Sequence, residues 1–244
     1  MPRGIITGRE MDVSKLVYTA SGHIFISPQD DPRRIIDAII ATGYEEEECL
    51  ALDFDPAFAA GLMAEGFLLM SGPARADDSV VTALIPKHHI RRSVLFFEDL
   101  HQSRSIKRFL PRYELRADAE FDRIIEKCIA VHGADWLTEP LVRLIRAVRA
   151  RRDPKARPFS FGLYRDGILR AGEFGVISGR VYTSYSGCHE ESSAGTVQMI
   201  LTARWLADHG FAFWDLGMPL DYKEKLGAKL LNTGDFIRIF REAR

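Results

Sequence analysis

The stretch Phe159–Ser186 reads FSFGLYRDGILRAGEFGVISGRVYTSYS. Its three runs, Phe159–Tyr164, Ile168–Ile177 and Val181–Ser186, are rich in β-branched and aromatic residues and are separated by Asp166-Gly167 and Ser178-Gly179. Such pairs supply the positive-φ positions of two-residue hairpin turns, so the spacing predicts three antiparallel strands joined tightly. Between Ser193 and His209, Val197, Ile200, Leu201 and Trp205 recur at helical spacing and Gly210 follows, which predicts a long helix. Phe211–Leu216 then predicts a further strand and Phe236–Phe240 the last one. Hairpin strands followed by a helix that crosses to another strand make an α+β plan with a mixed sheet.

Working outward, Asp118 opens a helix with Phe121, Ile124, Ile125, Cys128 and Ile129 facing inward, and Thr138 with Pro140 opens another with Leu141, Leu144, Ile145 and Val148 inward. In the first third, Asp31-Pro32 and Asp55-Pro56 each place a cap before a proline suited to a first helical turn. Ser71-Gly72-Pro73 through Asp78 reads as a loop. Val80–Leu84 and Ser93–Phe97 read as strands on either side of Pro86. The chain is expected to divide near residue 90, into a small N-terminal α/β domain (1–90) and a second domain (91–244).

The 244 residues are 46% hydrophobic and 27% charged, a balance that buries a core without staples. No run approaches the roughly 18 uncharged apolar residues of a membrane helix. Met1-Pro2-Arg3-Gly4 leads into a polar segment without a signal-peptide core. Three widely spaced cysteines, Cys49, Cys128 and Cys188, exclude a disulfide framework and a Cys-x-x-Cys zinc site, and a reducing cytoplasm is expected. Net charge is −1, but residues 86–157 hold 17 Lys/Arg against 10 Asp/Glu while residues 1–85 hold 6 against 14. The basic middle third is either an anion-binding face or solvated helix surface.

The strand and helix order is also that of the second half of an acetyltransferase-like (GNAT) fold, one candidate among several. GNAT enzymes that use acetyl-CoA carry a paired-glycine turn before the long helix, whose amides hold pyrophosphate. Here the turn reads Glu190-Glu191-Ser192-Ser193-Ala194-Gly195, and two carboxylates repel that group, so no CoA is expected. Cys188 and His189 are strand neighbours pointing to opposite faces, which argues against a thiol dyad. His88-His89 lack further ligands nearby and read as loop or surface residues, and no metal is expected. Asp215 stands at a strand end before Gly217 and Pro219, where open sheets receive ligands, and its plainer role is to cap the next turn. Ser103-Arg104-Ser105-Ile106-Lys107-Arg108-Phe109, with the arginine run 143–157, has the cations and hydroxyls of a phosphate-tracking surface.

From Leu100 to Phe109 the sequence resembles the leucyl/phenylalanyl-tRNA–protein transferases, which have Ser-Arg-Ser-Met-Lys-Arg-Phe there. The likeness continues through Ala134-Asp135-Trp136-Leu137-Thr138, Ala171-Gly172-Glu173-Phe174-Gly175 and Asp215 to Leu226-Gly227-Ala228, and Leu52–Phe67 is similar to the family's first-domain helix. The resemblance implies a small first domain and a GNAT-like second one. It implies transfer of an amino acid from its tRNA to the N-terminal amine of a protein beginning with Arg or Lys, in the N-degron pathway, with no cofactor; a monomer is expected. The chemistry would be aminolysis of an activated ester, helped by positioning and by groups that handle the amine proton and the oxyanion.

Carried over by position, Asp215 orients or deprotonates the amine, and Tyr185 and Ser186 line the reaction centre. Trp136 supports the pocket or the terminal adenosine. Arg104, Lys107, Arg108, Arg146 and Arg149 meet tRNA phosphates. Gly217 stands where the family has glutamine and Tyr185 where it has glutamate. Pocket positions that are methionine or phenylalanine in the family fall on Glu173, Gly187, Thr202 and Leu206. A carboxylate facing a leucyl side chain is unfavourable unless paired, so either the donor is polar or basic or the pocket serves another purpose. Tyr185 and Tyr222 are candidates to replace the lost donors. Two alternatives stay open: a GNAT-like acyltransferase with another donor, and a non-catalytic tRNA- or peptide-binding descendant.

Overall fold

The computed structural model describes residues 16–76 and 79–244. The readings of Met1–Gly4 and of Asp77-Asp78 lie outside the described residues. The first part holds β1 (Val17–Tyr18), β2 (Ile24–Phe25), α1 (Pro32–Thr42), β3 (Cys49–Leu50), α2 (Pro56–Ala64), β4 (Leu68–Ala76) and β5 (Ser79–Lys87). Both helices start as their sequences dictate. Asp31 accepts from Arg33 N–H and Asp55 from Phe58 N–H, each ahead of a proline in the first turn.

β4 corrects the loop expected over Ser71–Ala76. It pairs with β5 in a two-stranded ribbon, with Pro73 opposite Thr82 and Pro86 opposite Leu69. The outer edges of this ribbon are bonded only at points, Ser71 N–H to Trp136 O on the β4 side and, on the β5 side, Leu84 to Ala51 and His88 N–H to Glu47 O, so an N–H missing at Pro86 falls between two bridges rather than within a continuous ladder. His88 and His89 lie in the loop after β5, but both are buried rather than at the surface.

The second part holds β6 (Arg91–Leu95), α3 (Arg104–Lys107), β7 (Glu114–Ala117), α4 (Phe121–His132), α5 (Glu139–Arg151), β8 (Arg157–Arg165), β9 (Ile168–Ser178), β10 (Val181–His189), α6 (Ala194–Asp208), β11 (Phe213–Gly217), α7 (Asp221–Lys225), β12 (Lys229–Asn232) and α8 (Thr233–Glu242). One seven-stranded sheet runs in the order β12-β6-β11-β10-β9-β8-β7. Its hairpins turn at Asp166-Gly167 and Ser178-Gly179 as the spacing predicts, with positive φ at Asp166, Gly167 and Gly179. β10 and β11 pair in parallel across α6, which makes the sheet mixed and the class α+β.

Phe236–Phe240 is not a strand, contrary to expectation, but part of α8. Asn232 caps that helix by accepting from Asp235 N–H, and Phe236, Ile237 and Phe240 fall on one buried face at helical spacing. An apolar core joins α1 and α2 to α4, α5 and α8 on one side of the sheet. A second core lies under α6, where Val197, Ile200, Ala203 and Leu206 meet Phe161, Tyr182 and Trp214. Among the described residues no helix is long and apolar enough to cross a membrane.

Candidate active site

A break in the sheet makes the site. β10 and β11 are paired only over Val181–Thr183 and Phe213–Asp215, while β10 runs on to His189 and β11 to Gly217. On its other side β10 shifts register against β9 between Ser184 and Ser186, leaving Tyr185 as the extra residue. A bulge of this kind turns the strand, and here β10 turns away from β11. The gap is a cavity of about 390 Å3, closed by the first turns of α6 and by Tyr222 and Lys223 of α7.

Glu173 reaches the cavity from β9, opposite Gly187 in the register of β10. A side chain at 187 would place its Cβ 3.4 Å from that of Glu173, so the glycine keeps the cavity open above the carboxyl. Glu173 is 5% exposed; Oε2 accepts from Ser184 Oγ at 3.2 Å and Oε1 has no partner. Burial pushes this carboxyl up to about 8, against weaker opposing contributions from Ser184, Gln198 and Lys223. The folded chain therefore holds a proton that the unfolded chain releases near 4.5, and Glu173 costs stability increasingly as pH rises from there to about 8. Glu173→Gln should accordingly melt higher than the parent by about 1–3 kcal/mol at pH 8, with the gap closing toward pH 4.5 in paired thermal scans.

Lys223 faces the same space. It is 6% exposed, and its Nζ donates to Leu216 O at 2.5 Å and Met218 O at 2.8 Å. Burial draws its amine down to about 8, opposed by the charges of Asp215 and Glu173. Sequence reasoning missed this residue, because a lysine in Asp221-Tyr222-Lys223 looks like one on any solvated turn.

Tyr185 and Ser186 wall the cavity. The Tyr185 hydroxyl accepts from Leu69 N–H at 3.1 Å, and burial raises its pKa above the ordinary phenol value. Asp215 is fully buried and accepts from Arg92 Nε at 2.8 Å and Nη2 at 2.6 Å, Thr183 Oγ1 at 2.8 Å and Gly217 N at 3.0 Å. Burial alone would raise this carboxyl; the Arg92 charge and hydrogen bonds outweigh burial and hold it below the usual range. Four protein donors saturate both oxygens, which leaves none to accept from a substrate amine. Gly217 sits at φ +71 beside Leu68 and donates to Asp215.

Other expected site residues are placed elsewhere. Thr202 and Leu206 are buried on α6 outside the cavity wall, with Thr202 accepting from Gln198. Trp136 is also outside the wall, and its carbonyl accepts from Ser71. Arg146 and Arg149 do not present free cations: they pair with Asp122 and Asp118, each at 2.7 Å, and Arg149 also covers the Phe121 ring. Arg104, Lys107 and Arg108 are exposed in and just after α3. Their segment is tied at one end to α6, where Arg204 donates to Gln102, and at the other to the turn before α6, where Tyr113 donates to Glu191, so it borders the helix that closes the cavity. Glu191, in the turn before α6, is paired with Arg165 at 2.8 Å and Arg170 at 3.0 Å. Cys188 is buried and His189 exposed, on opposite faces of β10.

The chain is similar in fold outline to the crystal structure of FemX (11% identity, TM-score 0.46, 89% of this chain and 80% of that one). It has a weaker likeness to a GCN5-related N-acetyltransferase from Kribbella flavida (15% identity, TM-score 0.37, 82% and 73% covered). Neither likeness bears on the chemistry. In sequence it is 30% identical over 150 residues to the leucyl/phenylalanyl-tRNA–protein transferase of Pseudomonas entomophila (strain L48) and 29% identical over 150 to that of Pseudomonas aeruginosa (PAO1). Each match covers 59% of this chain and 65% of the relative, just under two thirds of the relative's length. The family model for leucyl/phenylalanyl-tRNA protein transferase matches residues 94–241, a span that takes in every side chain lining the cavity. On that match, which covers more than half of its length, the chain belongs to the leucyl/phenylalanyl-tRNA protein transferase family.

Proposed function

We propose that this chain is an aminoacyltransferase that moves an amino acid from aminoacyl-tRNA to the N-terminal amine of a protein, with the aminoacyl group seated in the cavity between β10 and β11. The observation that carries the reading is that the cavity's whole wall, Val131 to Lys223, lies within the span matched by the family. The amine nitrogen attacks the ester carbonyl, the carbon–oxygen bond to ribose breaks, an amide forms, and the amine's proton is returned to the ribose oxygen. Most of the acceleration is positioning of amine against ester in a water-poor cleft. The Tyr185 hydroxyl accepts from Leu69 and keeps its own proton to offer, and Ser186 stands beside it. Lys223, with its amine near 8, exchanges a proton readily at neutral pH. Asp215 is a positioning residue: through Arg92, Thr183 and Gly217 it fixes where β11 ends and α7 begins.

In this reading the division near residue 90 separates a supporting domain from the transferring one. Arg104, Lys107 and Arg108 meet tRNA phosphates, Trp136 supports the wall from behind, and the protein works as a cytoplasmic monomer on Arg- or Lys-initiated acceptors.

The test incubates the protein with bulk tRNA charged with labelled amino acids and with peptides beginning with Arg, Lys, Asp or Glu. The expected product is an Arg- or Lys-initiated peptide heavier by one amino-acid residue. No modified peptide from any combination would overturn the transferase reading. With the same tRNA, Arg104→Glu/Arg108→Glu should weaken binding and flatten the slope of log affinity against log salt by roughly one for each phosphate no longer neutralised. An unchanged slope would remove this segment from the interface.

A further inference from the structure

Granted the transferase reading above, we propose that Glu173 makes the cavity select an aminoacyl donor whose side chain ends in a cationic nitrogen, of the lysyl or arginyl class, over leucyl and phenylalanyl donors. Glu173 lines the cavity, is 5% exposed, and has one oxygen without a donor. Its nearest polar neighbours do not satisfy that oxygen. Ser184 serves Oε2; the Gln198 amide, which donates to Thr202, and the Tyr182 hydroxyl lie beside the carboxyl and lower its proton affinity slightly, but neither brings a donor within hydrogen-bond distance of Oε1. Lys223 does not close an ion pair with it, because its Nζ is held by the carbonyls of Leu216 and Met218.

An apolar donor side chain would expel water from this carboxyl and supply nothing in exchange, whereas an ammonium or guanidinium supplies both the missing donor and the opposite charge. The shape of the wall fits the same class. Gly187 leaves the approach to Glu173 open, and Met199 and Leu216 offer apolar surface to the methylene stem of a long cationic side chain. The raised proton affinity of Glu173 marks the carboxyl as an uncompensated buried group, which a cation relieves.

The experiment measures binding of 3′-aminoacylamido-adenosines by calorimetry; their amide linkage replaces the reactive ester, so the readout is independent of transfer. Lysyl and arginyl analogues should bind about tenfold to a hundredfold more tightly than leucyl and phenylalanyl ones. Glu173→Gln, which keeps the shape and is expected to fold more stably, should bring that preference below about threefold, and Glu173→Leu should invert it. A leucyl or phenylalanyl analogue that binds as tightly as the lysyl one overturns the proposal, as does a glutaminyl analogue equal to the lysyl one, or no binding by any analogue. Transfer of leucine or phenylalanine from charged tRNA by the parent protein would uphold the transferase reading while refuting the cationic preference. Absence of transfer from the whole charged pool would refute the transferase reading itself.

Discussion

Asp215→Ala lowers the melting temperature by about 10 °C, the shift expected when Arg92 is left buried without its counter-ion. Arg92 and Asp215 are both fully buried, and their contact is bidentate. Breaking such a pair costs about 3–5 kcal/mol, because the remaining charge is neither hydrated nor paired. Arg92 has no other acceptor to turn to: its Nη1 already lacks a partner, and its guanidinium lies 4.6 Å from the centre of the Phe236 ring. The double variant Arg92→Leu/Asp215→Leu should recover much of the loss, since it leaves neither charge behind. The Asp215 carboxyl is held below its ordinary value of 3.8, so its stabilising effect is present above that pH and is lost as pH falls through the folded-state value. The gap between parent and Asp215→Ala should therefore be full at about pH 7 and shrink in strong acid. Melts that coincide within about 2 °C at neutral pH would show that the pair carries no such weight.

Gly227→Ala is expected to have a comparable effect by a steric route. Gly227 has φ +106, a conformation costly for any side chain, and a Cβ there would lie 2.0 Å from the backbone oxygen of Asp99. The obstacle is main chain, so no rotamer change removes it. The neighbouring bond from His101 N–H to Leu226 O, at 2.8 Å, joins the same two segments and would be strained with it. The loss should exceed about 3 kcal/mol, and the movement should fall on α7, which carries Tyr222 and Lys223 into the cavity wall. Hydrogen exchange read peptide by peptide checks this: amides of residues 221–229 should lose protection more than those of β8 and β9. A variant that melts like the parent, with α7 still protected, would contradict the close approach.

The elements that were legible are those whose causes are local. The Asp166-Gly167 and Ser178-Gly179 turns, the inward stripe of α6 and the capped starts of α1 and α2 all follow from residues within a few positions of one another. The two misreadings also have local explanations. The prolines of the β4–β5 ribbon looked like loop signals because which backbone N–H groups of a strand go without a ladder partner cannot be known from sequence. Phe236–Phe240 looked like a strand because apolar residues over so short a run suit either period, and the cap at Asn232 is what makes it a helix. Order and spacing of motifs were enough to point to the family, since they survive substitutions in the pocket.

The candidate site was legible only in part. Glu173, Tyr185, Ser186 and Gly187 do face one cavity, but Trp136, Thr202 and Leu206 do not line it, and Asp215 is saturated by Arg92, a partner 123 residues away. Lys223 carries no signal until α7 folds against the end of β11. The sequence alone thus determined the α+β class, the order of strands around α6 and the family resemblance, because hairpin turns, helical periodicity and motif spacing act along the chain. Tertiary structure alone decided where β10 parts from β11, which carboxyl is paired and which is left unpaired, and how a lysine comes to lie in a wall. Those outcomes depend on register and burial between segments far apart in sequence, where the same residue type can be satisfied or stranded according to what packs against it.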